Sequence, residues 1–309
     1  MPTAERGGSV SPEASLRAGV VGSPIAHSLS PVLHRAAYRV LGAPLHYDRH
    51  EVPDGGLAEF LSEVASAPGW RGLSVTMPHK QDAARLAGQV SDRVALLGAA
   101  NTLVWDSPHA PGQWWAHNTD VDGIIGALRF AGLAALPPGA SVAVLGNGGT
   151  ATAAVLAARD LGADAVAVHV RSAARAAAVV ELAKRIGLRA AAHRLEDFPG
   201  AAESYAGVIC TLPPRAADPL AAALEQRGRC EGPALPRLLD VAYDPWPSAL
   251  AQAWQARGGS VVSGIEMLLY QAREQVALFA GQDGRDGDPG DPVLAAMAAA
   301  VGLPERGRA

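Results

Sequence analysis

Short apolar segments alternate with longer, alanine-rich segments along most of this 309-residue chain, and this alternation constrains its fold more than any other feature. Segments 141–145, 165–170 and 208–211 have the length and composition of buried strands, whereas segments 149–160 and 173–186 have those of helices. Strands that are connected through helices in this order pair in parallel. The pattern therefore predicts an α/β fold with parallel sheets.

The rest of the chain follows the same alternation less regularly. Ser30 is placed to cap a helix that runs to about Leu41, with Pro31 in its first turn, and Pro78 opens a second helix in the same way. The Gly- and Pro-rich segments 136–139 and 281–291 predict loops, the first of them at a domain boundary. The other predicted elements are strands at 19–22, 72–76, 238–242 and 260–262, and helices over about 123–130, 264–280 and 292–301.

Composition and charge exclude several classes of protein. Hydrophobic residues make up 49% of the chain and charged residues 18%, which is enough apolar material for a large buried core. With 26 basic and 30 acidic residues the formal charge is −4, which argues against a surface built for nucleic acid or for an anionic membrane. We therefore expect neither of these as a partner.

Two further features indicate the compartment. Residues 1–18 lack the apolar core of a signal peptide, and the apolar segment 139–158 carries an Asn-Gly-Gly turn at its centre, which suits a strand and a helix better than a membrane span. The two cysteines, Cys210 and Cys230, do not have the spacing of a disulfide framework or of a zinc site. These observations predict a cytoplasmic protein without a metal.

A glycine-rich turn lies between the predicted strand 141–145 and the predicted helix 149–160. Gly146, Gly148 and Ala151 occupy the G-x-G-x-x-G/A frame, in which the glycines permit a tight turn and let a pyrophosphate approach the backbone. The N–H groups that begin the helix then face the anion. The turn predicts a dinucleotide site, and a tight turn with a purely structural purpose is the alternative.

The residues after the next strand indicate which dinucleotide is bound. NAD sites usually carry an acidic residue here, which binds the ribose 2′-hydroxyl. This chain instead has Arg171 and Ser172, with Arg175 one helical turn later. Guanidinium groups hold a 2′-phosphate, whereas a carboxylate would repel it. The sequence predicts NADP rather than NAD, unless the two arginines are only the solvated start of a helix.

Polar residues collect at strand ends and helix starts in the first half of the chain, where open α/β sheets bind ligands. Hydroxyls and amides around one lysine and one aspartate suit a small polyhydroxylated acid, with one pair of groups to handle a proton. Each residue also has a structural explanation, since Ser30 or Asp120 can cap a helix and Lys80 can lie on the surface. The residues are Ser28, Ser30, Thr76, Lys80, Asn101, Asn118 and Asp120.

Several of these segments resemble the shikimate dehydrogenase family, both in sequence and in order, from about Val20 to about Phe279. The two most specific segments resemble the family's N-terminal signature and its N-V-T-x-P-x-K segment. The matching segments are GSPIAHSLSP at 22–31, SVTMPHK at 74–80, ANT at 100–102, NTD at 118–120, the glycine turn, YDP at 243–245 and GIEMLLYQ at 264–271.

The resemblance implies an NADP-dependent oxidoreductase that interconverts 3-dehydroshikimate and shikimate, in the biosynthesis of chorismate and the aromatic amino acids. It also implies a monomer or homodimer, in which a cleft separates a substrate domain, built from both ends of the chain, from an inserted Rossmann-like domain. We accordingly expect a flexible leader (1–18), a substrate-binding α/β domain (19–122), an NADP-binding domain (123–263) and C-terminal helices that return to the substrate domain (264–309).

The family's functional residues fall on matching positions of this chain. Lys80 and Asp120 would be the catalytic pair. The implied substrate-binding residues are Ser28 and Ser30 at the carboxylate, and Thr76, Asn101, Asp120, Tyr243 and Gln271. The implied nucleotide-binding residues are Gly146, Asn147, Gly148, Gly149, Thr150, Arg171, Ser172, Arg175, Thr211, Gly264 and, against the nicotinamide, Met267. His27, His79 and His117 lie beside these motifs and are expected to support the site or to lie on the surface.

The chain departs from the family pattern at four places. Ser74 stands where the family has Asn, Asn147 where it has Ala, Val-Arg-Ser at 170–172 where it has Asn-Arg-Thr, and Cys-Thr-Leu-Pro-Pro at 210–214 where it has a tighter segment. The side chain of Ser74 is shorter than that of the family's Asn, which helps to shape the strand end. We therefore expect Ser74 to affect substrate preference. None of the departures removes a catalytic group.

Two other functions compete with the main interpretation. One is a paralogue that acts on quinate or on an amino analogue of shikimate, for which Ser74 and Tyr270 are the residues to inspect. The other is a non-catalytic NADP-binding sensor of the same fold. Retention of Lys80 and Asp120 argues against the sensor, because a sensor needs no proton donor.

Overall fold

The computed structural model describes residues 16–107, 110–227, 235–281 and 291–305. In these residues the strands form two six-stranded sheets, one on each side of a cleft. Cys230 and most of the predicted loop at 281–291 lie outside the described residues.

The first sheet has the order β2-β1-β3-β5-β6-β4 and is mixed rather than wholly parallel. Strand β1 pairs in parallel with β2 and β3, whereas β5 runs antiparallel to β3 and β6. The strands are β1 (Leu16–Gly22), β2 (Leu45–Glu51), β3 (Trp70–Val75), β4 (Gln89–Val90), β5 (Thr102–Ser107) and β6 (Ala110–His117).

The sequence predicted only β1 and β3 of this sheet. Strand β2 lies at the sheet edge and exposes four of its seven residues, so it lacks the apolar run by which buried strands are recognised. Strand β1 begins at Leu16, and the last three residues of the predicted flexible leader therefore belong to the sheet.

The helices beside the first sheet begin at positions that correct three expectations. Helix α1 begins at Ser30, but its capping position is Leu29 and no side chain caps it. The second predicted helix begins at Lys80 rather than Pro78, and the third at Asp120 rather than near Gly123. The helices are α1 (Ser30–Leu41), α2 (Leu57–Ser66), α3 (Lys80–Leu86), α4 (Asp92–Leu97) and α5 (Asp120–Phe130).

The second sheet is parallel throughout, with the order β12-β11-β10-β7-β8-β9, and its regular alternation with helices confirms the α/β prediction. Strand β9 was not predicted because nearly all of its side chains are exposed. The elements are β7 (Ser141–Leu145), α6 (Gly149–Asp160), β8 (Ala165–Val170), α7 (Ala173–Arg185), β9 (Arg189–Arg194), α8 (Phe198–Ala201), β10 (Gly207–Cys210), α9 (Asp218–Glu225), β11 (Arg237–Asp240), α10 (Ala249–Ala256) and β12 (Val261–Ser263).

Two C-terminal helices, α11 (Gly264–Ala280) and α12 (Pro292–Ala300), leave the second sheet and pack against α1. Val276 and Phe279 of α11 share a buried core with Val20 and Tyr47 of the first sheet. Helix α11 also packs closely on α5. No helix in the described parts of the chain has the length and apolar character needed to cross a membrane.

Candidate active site

A cavity of about 550 Å³ lies between the two sheets, at the ends of strands from both. Its walls are formed by residues that follow β1 and β3 on one side, and β7, β10 and β11 on the other. This is the edge at which α/β sheets bind ligands. The lining includes the predicted residues Ser28, Ser30, Thr76, Lys80, Asn101, Asp120, Tyr243, Gln271, Gly148, Gly149, Thr150, Thr211, Gly264 and Met267.

Lys80 and Asp120 form an ion pair in this cavity, with 2.5 Å between Nζ and Oδ2. Their side chains are 15% and 5% exposed, so the pair is largely removed from solvent. Lys80 Nζ also lies 3.4 Å from Oγ1 of Thr150, in the first turn of α6. An ammonium group has three N–H donors, and one is left for a ligand in the cavity.

The amide of Asn101 has one orientation because of a backbone group. The N–H of Thr119 donates to Asn101 Oδ1 at 2.8 Å, so the amide nitrogen must face the opposite side. There it donates to Asp120 Oδ1 at 2.8 Å and to Gln271 Oε1 at 3.0 Å. Since its oxygen is engaged, Gln271 has its own amide nitrogen left for the cavity, as a donor.

Asp120 does not act as a helix cap, although it is the first residue of α5. Both of its carboxylate oxygens accept from side chains, those of Lys80 and Asn101. Asp122, the other acidic residue in the first turn of α5, forms an ion pair with Arg93 on α4. The carboxylate of Asp120 is therefore committed to the cavity.

Ser28 and Ser30 lie in the loop after β1 and at the start of α1, and both are buried. Arg49 holds this loop, because its Nε and Nη2 donate to the carbonyl of Ser28 at 3.0 and 2.5 Å. Tyr243 approaches the cavity from the other sheet, and burial raises the pKa of its phenol, which stays protonated and able to donate.

The glycine turn has the geometry that its sequence predicts. Gly146 has φ +117°, and a Cβ there would lie 2.5 Å from Thr211 Oγ1. Gly148 occupies the capping position of α6 without any side-chain cap, and a Cβ on it would meet nothing within 4 Å. The first N–H groups of the helix therefore have no side-chain cap, and such groups are available to bind an anion.

This turn lies beside the lysine. A Cβ on Gly149 would be 3.7 Å from Lys80 Cδ and 3.4 Å from Ala99 Cβ. A dinucleotide whose pyrophosphate sits on the turn would thus extend into the cavity that holds the ion pair.

The other predicted nucleotide residues lie outside the cavity, beyond the turn. Arg171, Ser172 and Arg175 are exposed where β8 ends and α7 begins, and neither guanidinium has a carboxylate partner among the described residues. Asn147 connects them to the turn, because its Nδ2 donates to the carbonyl of Arg175 at 3.0 Å. Two free guanidinium groups near a hydroxyl suit a phosphate.

The three histidines beside the motifs have different surroundings. His27 lines the cavity, whereas His79 is fully buried and its Nε2 donates to the Val52 carbonyl at 2.7 Å. His117 packs edge-on against Trp115. In the described parts of the chain no group of three His, Cys, Asp or Glu residues could hold a metal.

Sequence reasoning missed Gln275 and Tyr47 as residues of this site. Gln275 lines the cavity one helical turn after Gln271, and this i, i+4 spacing on one helix face was the available signal. Tyr47 lies on the unpredicted strand β2 and donates to Ser74 Oγ at 2.6 Å.

A parallel sheet with a glycine-rich turn at the start of a helix, facing a cavity that a second α/β domain also lines, defines a dinucleotide-binding protein of Rossmann-like architecture. The profile of the shikimate dehydrogenase substrate-binding domain matches residues 20–103. The shikimate dehydrogenase (NADP(+)) of Methylobacterium radiotolerans is 38% identical over 263 residues, which are 84% of this chain and 89% of that protein.

Solved structures agree with this match. Shikimate dehydrogenase from Mycobacterium tuberculosis is 40% identical with a TM-score of 0.77, over 93% of this chain and 98% of that one. Shikimate 5-dehydrogenase from Thermus thermophilus, solved with NADP(H) and shikimate, is 28% identical with a TM-score of 0.73, over 92% and 99% of the two chains. The chain belongs to the shikimate dehydrogenase family.

Proposed function

We propose that this protein is an NADP-dependent shikimate dehydrogenase, an oxidoreductase that reversibly reduces 3-dehydroshikimate to shikimate. The observation that carries the proposal is the position of the ion pair. Lys80 Nζ lies 2.5 Å from Asp120 and 3.4 Å from Thr150, where the cavity meets the start of α6. Hydride transfer coupled to proton transfer needs a proton donor and the nicotinamide ring at the same carbonyl group, and this cavity is lined both by Lys80 and by residues of the nucleotide sheet.

Residues of the second sheet would hold the cofactor. The open N-terminus of α6, with Gly146, Asn147, Gly148, Gly149 and Thr150, would bind the pyrophosphate, and Arg171, Ser172 and Arg175 the 2′-phosphate. Thr211, Gly264 and Met267 would border the nicotinamide end, since all three line the cavity. When bound, the cofactor supplies the hydride.

Lys80 would handle the proton. Its side chain lines the cavity and is only 15% exposed, so its remaining N–H can donate to the oxygen of a ketone as negative charge develops there. Asp120 keeps the ammonium group in place and presents an acceptor to a neighbouring hydroxyl. Asn101 in turn holds the carboxylate through its amide nitrogen.

The remaining lining residues would orient the substrate. Ser28 and Ser30, with Tyr243 from the opposite sheet, provide hydroxyl donors for the substrate carboxylate. Thr76 and the amide nitrogen of Gln271 would bind ring hydroxyls. Hydroxyl and amide donors together with a lysine–aspartate pair match an acid with several hydroxyl groups.

We also propose a domain division and a setting. The substrate domain would comprise β1 to residue 122 together with the helices from residue 264 onward, and the nucleotide domain would comprise 123–263. Packing of α11 and α12 on α1 supports this division. The enzyme would work in the cytoplasm as a monomer or homodimer, in the biosynthesis of the aromatic amino acids.

A steady-state assay tests the proposed activity. Purified protein is mixed with shikimate or quinate, each with NADP or NAD, and nicotinamide absorbance is followed. We expect turnover with shikimate and NADP to exceed the other three combinations. Equal rates with quinate would assign the protein to the broader paralogue class, and cofactor binding without turnover on either acid would leave only the sensor.

A further inference from the structure

We propose that Ser74 is a specificity-determining residue, which offers the substrate a hydrogen-bond acceptor and no donor. Ser74 lines the cavity at the end of β3, at the position where the family motif has Asn. We call Ser74 and Gln275 the cavity floor. The inference concerns which ring substituents of the substrate this floor accepts, and it rests on the proposed function for the identity of the substrate.

The backbone carbonyl of Asn101 fixes the orientation of the Gln275 amide, because a carbonyl can only accept a hydrogen bond. Gln275 Nε2 lies 3.1 Å from this carbonyl and 2.9 Å from Thr102 Oγ1, so both amide hydrogens are engaged there. The amide oxygen of Gln275 must then face the other way, where Ser74 Oγ lies at 2.7 Å. Ser74 therefore donates its only hydrogen to Gln275.

Tyr47 completes the arrangement. Its hydroxyl lies 2.6 Å from Ser74 Oγ, and burial raises the pKa of the phenol, so Tyr47 is protonated. Because the Ser74 hydrogen is already engaged, Tyr47 is the donor in this bond. Hydrogens thus point in one direction from Tyr47 through Ser74 to Gln275.

The cavity floor offers the substrate an acceptor but no donor. A serine oxygen has one hydrogen and two lone pairs, and Ser74 has one lone pair left. Gln275 has no free amide hydrogen, and its oxygen already accepts from Ser74, so it offers the ligand no donor either. Both residues are buried, and an unmatched polar contact with either would be costly. An Asn side chain at position 74 would instead bring an amide with donors of its own.

The floor should therefore favour a ring substituent that donates a hydrogen, such as a hydroxyl. A fluorine has the size to occupy the same place and carries lone pairs but no hydrogen. A hydrogen atom in that place neither donates nor repels. If the floor offers only an acceptor, the fluoro analogue should be no better a substrate than the deoxy analogue, and both should be poorer substrates than the hydroxyl compound.

The experiment compares kcat/KM for shikimate and for analogues in which each hydroxyl that is not oxidised is replaced in turn by hydrogen or by fluorine. At the position that faces Ser74 we expect the fluoro analogue to lose roughly tenfold or more, and at least as much as the deoxy analogue. The ratio of fluoro to deoxy values is the readout, because general damage to the site lowers both values together.

Three variants separate a specificity role from a structural one. Ser74→Asn supplies a donor and should raise the fluoro-to-deoxy ratio several-fold, roughly the effect of one hydrogen bond. Gln275→Leu releases the Ser74 hydrogen and should raise the ratio in the same direction. Tyr47→Phe removes a neighbouring hydrogen bond but leaves the Ser74 hydrogen on Gln275, so it serves as the matched control and should keep the wild-type ratio.

The outcomes are distinct. The inference would be overturned if the wild-type fluoro-to-deoxy ratio of kcat/KM exceeded one at every ring position, or if Ser74→Asn had the same ratio as the wild type. In either case turnover of shikimate would still support the proposed function. If Gln275→Leu does not fold, the comparison of Ser74→Asn with Tyr47→Phe still decides. A wild-type protein that does not turn over shikimate overturns the proposed function and the ligand named here with it.

Discussion

Backbone groups determine the orientation of the side-chain amides in the site. The Thr119 N–H orients Asn101, and the Asn101 carbonyl orients Gln275. A backbone N–H only donates and a carbonyl only accepts, so neither amide can reverse without losing a buried hydrogen bond. The hydrogen-bonding character of the cavity is therefore a property of the folded backbone as much as of the residues that line it.

At the residue scale, removing the lysine amine should separate catalysis from binding. We expect Lys80→Ala to lower kcat for shikimate by roughly 10²- to 10⁴-fold, since the proton donor is lost. The KM should change little, because Ser28, Thr76 and Gln271 still line the cavity. Arg85→Ala, on the exposed side of the same helix, is the matched control. A Lys80→Ala enzyme with near-normal turnover would refute the role of the amine.

A second residue-scale prediction concerns the choice of cofactor. Arg171→Ala should raise the KM for NADPH by roughly 10- to 100-fold, the loss expected for a charge-assisted bond to phosphate, and leave the KM for NADH unchanged. Steady-state kinetics with both cofactors provide the comparison. Lys184→Ala removes a positive charge from the far end of α7 and should affect neither KM. Equal losses with NADPH and NADH would show that Arg171 does not read the 2′-phosphate.

At the scale of elements, α5 and α11 approach each other through glycines. A Cβ on Gly123 would lie 2.6 Å from the Met267 carbonyl, and a Cβ on Gly126 would lie 2.5 Å from the Tyr270 ring. Helix α5 carries Asp120 and α11 carries Gln271. The close approach of the two helices therefore brings together side chains of the site.

We expect Gly123→Ala to force these helices apart. Overpacking of this kind costs about 1–3 kcal/mol of unfolding free energy. It should also lower kcat/KM for shikimate, because Gln271 moves relative to Asp120. Chemical denaturation and steady-state kinetics measure the two effects. Arg129→Ala, exposed on the same helix, should change neither quantity. A Gly123→Ala protein as stable and active as wild type would contradict the close packing.

At the scale of elements, prediction from sequence gave the bounds of several helices but missed strands at the sheet edges. Helices α1, α6 and α11 have the predicted bounds, because each has strong local signals in its proline, glycine turn or apolar periodicity. Strands β2 and β9 lie at sheet edges with exposed side chains, so no local pattern marked them. Tyr47 and Arg49 were missed with β2, although both hold residues of the cavity.

At the scale of the whole molecule, burial couples stability to pH. His34 is fully buried between Tyr47, Tyr38 and Phe279, and burial lowers its pKa from 6.5 to about 3. Burial lowers the pKa of His50 and His169 as well. At mildly acidic pH the unfolded chain therefore binds protons at these histidines that the folded protein does not bind. The contribution to stability is complete above pH 6.5 and is lost as the pH falls from 6.5 towards 3.

This coupling predicts acid lability. His34 alone should cost about 2 kcal/mol of unfolding free energy between pH 7 and pH 5. Denaturant titrations at both pH values measure the loss. The His34→Asn protein should be less stable at pH 7 but should lose less between the two pH values. His46→Asn, exposed on β2, is the control and should keep the wild-type loss. Equal losses in wild type and His34→Asn would refute the role of His34.

The sequence by itself determined the family and the conformation of segments with strong local signals, such as the glycine turn. Gly146 occupies the first glycine position of the G-x-G-x-x-G/A frame, and its φ of +117° is a conformation in which a side chain would clash with the neighbouring backbone. The polar residues of the site were found because they lie within segments that match a known family in sequence and in order. Their chemical types, a lysine, an aspartate and several hydroxyls, indicated the reaction.

Only the tertiary structure decided which groups meet and which partner each hydrogen serves. Lys80 and Asp120 are 40 residues apart, Asn101 and Gln275 are 174 apart, and Ser74 and Gln275 are 201 apart. The direction of a hydrogen bond depends on every other donor and acceptor within reach, and those come from distant parts of the chain. A residue type in a motif therefore indicates what a side chain can do, and the packed fold decides what it offers the ligand.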